Sequence, residues 1–66
     1  MMTRLEAELT RWDGVTPLRI FYGNTGVTLA NNAQTVRKAL MRLGIVANVR
    51  AESATESVVV EPLYVA

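Results

Sequence analysis

The 66-residue chain reads as one α+β domain, in which two helices pack on a single four-stranded, mainly antiparallel sheet in the order α-β-β-α-β-β. Three observations predict this. Apolar residues recur at helical spacing in two places, at Met2, Leu5, Leu9 and Trp12 and again at Ala33, Val36, Leu40 and Leu43. Other stretches are β-branched or alternate in twos, as strands do. Half the residues are hydrophobic and a fifth are charged, and the length leaves room for only a single compact domain over residues 1–66.

Residues 3 to 13 form the first expected helix. Thr3-x-x-Glu6 is a capping box, in which each side chain satisfies a backbone donor at the other's position. Asp13-Gly14 is expected to end the helix, because glycine accepts the left-handed conformation of a C-cap. After Pro17, Leu18 to Tyr22 has strand composition, with Leu18, Ile20 and Tyr22 on one face and Arg19 and Phe21 on the other. Gly23 to Gly26 suits a tight turn, so Val27-Thr28-Leu29 is expected to return as the second strand of a hairpin. Asn31 and Asn32 suit the N-cap of a second helix running from about Ala33 to Leu43 and stopped by Gly44. Ile45 to Glu52 alternates, placing Ile45, Ala47, Val49 and Ala51 on one face. A polar link, Ser53 to Ser57, leads to a last strand from Val58 to Val65, whose Pro62 marks it as an expected edge strand.

Composition also limits the chemistry. The chain contains neither cysteine nor histidine, so disulfides, thiolate metal sites and histidine acid–base catalysis are excluded. The acids Glu6, Glu8, Asp13, Glu52, Glu56 and Glu61 are scattered, with no calcium-loop or phosphate-loop spacing. An enzyme, a metal site or a cofactor is therefore not expected. The N-terminus carries acids where a signal peptide has a basic region. The uncharged run from Ile20 to Val36 is broken by glycines, asparagines and threonines, so no membrane span is expected, and the reading is cytoplasmic.

Charge is strongly segregated beneath a net +1: residues 1–13 carry −1, residues 14–51 carry +5 and residues 52–66 carry −3. The five positive groups are Arg19, Arg37, Lys38, Arg42 and Arg50. Either they form a basic surface for an acidic partner, or they pair with Glu52 and Glu61 as an ordinary solvated face. Trp12, Phe21, Met41 and one face of Val58 to Val65 are more apolar material than so small a core holds: either they close the core, with Trp12 and Tyr64 at its rim, or Phe21 or the Val59, Leu63 and Val65 face makes an interface.

Thr35-Val36-Arg37-Lys38-Ala39-Leu40-Met41-Arg42-Leu43-Gly44 resembles the recognition helix of bacterial winged-helix regulators, in which a T-V-R-x-A-L-x-x-L helix enters the major groove and a two-stranded wing follows. The resemblance implies that Gln34, Thr35, Arg37 and Lys38 read bases and phosphates, and that the strands after Gly44 form the wing. Leu29-Ala30 is similar to the start of the preceding helix of that motif, although only Asn31 to Gln34 stand where the family has a helix and a turn. In size and lack of motifs the chain also resembles the small phage and mobile-element inhibitors, including anti-CRISPR proteins. That resemblance implies a non-enzymatic module occupying a surface of a host protein or protein complex. Arg37, Lys38, Arg42 and Arg50 are then the expected contacts, with Phe21 or Met41 as apolar anchor. A small DNA-binding regulator is the second reading, a structural subunit of a larger assembly the third. Pairing of edge strands into a homodimer is a further expectation.

Overall fold

A computed structural model describes residues 2–63. Its elements are α1 (Arg4–Thr10), β1 (Leu18–Phe21), α2 (Gly26–Leu43), β2 (Asn48–Glu52), a short 3-10 turn (Ser53–Thr55) and β3 (Ser57–Glu61). The strands form one three-stranded antiparallel sheet in the order β1-β3-β2, with both helices on one side of it. The class is α+β as expected, but the sheet has three strands rather than four.

The missing strand is Val27-Thr28-Leu29, which opens α2 instead of closing a hairpin. The reason is a longer helical stripe than the one beginning at Ala33. Leu29, Ala33, Val36 and Leu40 recur at four, three and four and are all buried against the sheet. The N–H of Leu29 already donates to the carbonyl of Thr25, so the helix starts before Asn31 and Asn32. Those two asparagines are interior to α2, and the Asn32 amide donates to the side chain of Asn24. Gly44, left-handed at φ 71°, ends α2 as expected. Its N–H donates to Met41 and that of Ile45 reaches back to Leu40, the paired bonds of a Schellman motif.

Thr3 and Glu6 form the expected capping box on α1. The helix nevertheless stops at Thr10 rather than running to Asp13. The Asp13 carboxylate accepts from the N–H groups of Val15 and Thr16, both at 2.8 Å, and this turn competes with another helical turn. Trp12 is fixed at the rim of the core by its indole N–H, which donates to the carbonyl of Thr16 at 2.6 Å.

β3 is the central strand and not an edge, because it ends at Glu61 and leaves Pro62 outside the ladder. The part of the expected last strand at Tyr64 and Val65 lies outside the described residues. β2 begins at Asn48, three residues later than expected, while Ile45 and Ala47 pack half-buried against the core. Register places Leu18, Val60 and Val49 in one row and Ile20, Val58 and Ala51 in the next, both facing the helices. No helix among the described residues is long and apolar enough to cross a membrane.

Candidate interaction surfaces

No element among the described residues covers the second face of the sheet. Its rows are Arg19, Val59 and Arg50, then Phe21, Ser57 and Glu52, with Asn48 beside Glu61. Arg50 donates from Nε to Glu61 at 2.8 Å and from Nη1 to Glu52 at 2.7 Å, and Arg19 pairs with the other oxygen of Glu52. Thr55 also donates to that oxygen, at 2.8 Å. The chain Arg19–Glu52–Arg50–Glu61 is electrically neutral and lies over Val59, which is 0% exposed although no second layer among the described residues covers it. The Thr55 hydroxyl, Arg19 and Arg50 hold the Glu52 carboxyl down at about 2. Hydrogen bonds to Glu61 and Glu52 push the Arg50 guanidinium up.

The outer face of α2 is different in character. The helix contains no acid over its 18 residues, and Arg37, Lys38, Met41 and Arg42 are all exposed on it. Arg37 is turned sideways, with Nη1 donating to Gln34 at 2.9 Å and Nη2 to the carbonyl of Val49 at 2.8 Å. Arg42 approaches Glu6 at 3.6 Å, a loose surface pair. Lys38 has no ion-pair partner among the described residues. Met41 is 79% exposed and Val27, near the other end of the helix, 78%.

The expected contact residues therefore divide between opposite sides of the molecule. Arg37, Lys38, Met41 and Arg42 sit on the helix layer, whereas Arg50 and Phe21 sit on the open face of the sheet. One flat partner surface cannot touch all six. Of the five positive groups in the acid-free segment, Arg19 and Arg50 are neutralised within the sheet, which removes two charges from the expected basic surface.

A further feature was invisible in the sequence. A groove of about 420 Å³ runs between α1 and the outer edge of β1, lined by Arg4, Leu5 and Glu8 on one side and Arg19 to Tyr22 on the other. Its residues are far apart in the chain, and only the placement of α1 brings them together.

Comparison of the chain with protein-family models, curated proteins and solved structures finds no match in any of the three.

Proposed function

We propose that the chain is a non-enzymatic protein-binding module that lays the outer face of α2 on an acidic, partly apolar surface of a partner protein, in the manner of the small inhibitors it resembles in size. The observation that carries this reading is the acid-free helix with Met41 exposed between Lys38 and Arg42. A solvent-exposed thioether flanked by cations suits an apolar anchor with a charged rim: the anchor supplies most of the binding energy and the rim steers the encounter. Phe21 and Arg50 belong to a different surface and take no part.

DNA binding is the second reading, favoured by the β2–β3 hairpin that follows the recognition-like segment as a wing would. Against it stands the unbroken course of α2 through Asn31 to Gln34, where a helix-turn-helix needs its turn.

Affinity capture with the wild-type chain and with a Lys38→Glu/Met41→Ala variant separates the two, alongside a titration of duplex DNA at several salt concentrations. The expected result is a protein partner held by the wild type and released by the variant, with no DNA binding at low salt. Salt-dependent DNA binding with a log–log slope of about −3, as Arg37, Lys38 and Arg42 on phosphates would give, replaces this reading with the second.

A further inference from the structure

A sheet ordered β1-β3-β2 has two outer edges, and they are not equivalent. Tyr22 donates its N–H to the carbonyl of Glu56, which sets the phase of the β1–β3 ladder. Antiparallel ladders alternate, so Leu18, Ile20 and Tyr22 turn their backbone groups toward β3 while Arg19 and Phe21 turn theirs outward. Among the described residues nothing bonds to the N–H or carbonyl of either Arg19 or Phe21. On the far side of the sheet the same alternation turns Val49 and Ala51 outward, and there the Arg37 guanidinium already occupies the Val49 carbonyl. One edge is capped at one of its outward groups, and the other, among the described residues, at none.

The open edge is also unfinished on both faces. On the helix side, Leu18, Ile20 and Tyr22 are only half-buried, although their neighbours Val58 and Val60 on β3 are fully buried. On the open side, Phe21 is 70% exposed. Something laid along β1 would complete both.

We infer that this edge is a self-recognition site, at which β1 pairs antiparallel with β1 of a second copy about a two-fold axis through Ile20. The argument for a second copy is self-complementarity. This register is the one in which all four outward donors and acceptors of each strand are used, because Arg19 meets Phe21 of the other copy and Phe21 meets Arg19. Shifting it by two residues in one direction sets Arg19 against Arg19 and Phe21 against Pro17, which has no N–H. In the favoured register each Phe21 ring lies beside the aliphatic stem of the other copy's Arg19 on the open face, while the guanidinium stays on Glu52. On the helix face Ile20 meets Ile20 and Leu18 meets Tyr22, covering the half-buried row. The groove beside this edge adds little charge of its own, because its Arg4 and Glu8 pair with each other along α1 at 3.9 Å and its Arg19 pairs with Glu52. Four-residue strands bury less than the roughly 800 Å² per partner of stable complexes, so the dimer is weak and concentration-dependent. This surface is separate from the outer face of α2 and stands independently of the function proposed for it.

Sedimentation of the full chain, over a concentration series rising to millimolar, tests the inference. The expected mass climbs from 7.3 kDa toward twice that value. Phe21→Lys, which alters an exposed side chain, is expected to stay monomeric throughout. So is a chemically synthesised chain with a methyl group on the Phe21 amide nitrogen, which deletes one outward donor and leaves every side chain intact. The protein has no cysteine, so Ile20→Cys reports the register cleanly. Opposed non-hydrogen-bonded positions bring Cα atoms to about 4.5 Å, within disulfide reach, so this variant is expected to cross-link on oxidation while Met41→Cys is not. A wild-type monomer at millimolar concentration overturns the inference and leaves the edge to an extended segment of a different protein. A dimer that survives both changes at Phe21 overturns it equally, by locating the interface elsewhere.

Discussion

Glu52 shows how much a single half-buried carboxylate can organise. It accepts from Thr55 and pairs with both Arg19 and Arg50, so it joins the edge strands β1 and β2 across the central strand. Its carboxyl, which ordinarily titrates at 4.5, is held at about 2 by those three partners. A carboxyl whose folded pKa is depressed stabilises the fold fully above its unfolded pKa, and the contribution disappears as pH falls through the folded value. For Glu52 the window therefore runs from 4.5 down to about 2. Thermal melts of the wild type and of Glu52→Gln are expected to differ most above pH 4.5 and to converge toward pH 2. A gap in Tm that stays constant across the window would mean that the negative charge of Glu52 contributes nothing to folding. The same residue accounts for the charge pattern, since most of the acid-free segment's opposing charge arrives from β2 and β3 through it and Glu61.

Among the elements, α2 decides the architecture, and its start is the point at which local and tertiary preferences disagree. Val27-Thr28-Leu29 after a glycine-containing turn has strand composition, yet Leu29 is buried and Val27 exposed on one continuous helix. Leu29→Ala is expected to cost about 2–5 kcal/mol in urea unfolding, as for any buried leucine, while Val27→Ala changes stability by less than about 0.5 kcal/mol. Equal costs for the two would restore the hairpin. The elements marked by local chemistry were legible in the sequence: the Thr3–Glu6 capping box, the stop at Gly44 and the alternation through Val49 and Ala51 all lie where residue types alone put them. The extra turns of α2 were not, because Leu29 joins the stripe only once a sheet lies beneath it. Nor was the central position of β3, which depends on where a strand ends relative to Pro62 rather than on the presence of the proline. Of the candidate contacts, the exposure of Lys38 and Met41 followed from helical spacing, while the pairing of Arg50 needed the β2–β3 register.

At the scale of the whole molecule, one layer of helices on one thin sheet gives a slab whose Cα extents are 34 × 27 × 15 Å. A slab of this kind has two sheet edges, and a sheet that self-pairs at both of them grows without limit. One edge must therefore be closed to neighbours if assembly is to stop at two copies. Arg37 performs that role: it reaches down from α2 and occupies the outward carbonyl of Val49, a group that an incoming strand needs. Lys38, its neighbour in sequence, points to solvent and makes no such bond. Removing the guanidinium frees the Val49 carbonyl at the β2 edge, and Arg37 is itself an exposed residue whose side chain is not part of the hydrophobic core. Arg37→Ala is accordingly expected to retain the wild-type circular dichroism but to scatter light increasingly with concentration, as β2 edges pair and chains of molecules form. Lys38→Ala, which removes the adjacent charge and leaves the edge obstructed, is expected to behave as the wild type does. Light scattering on the two variants at equal concentration distinguishes edge protection from simple loss of charge. If both variants associate, or neither does, Arg37 is not what terminates the sheet.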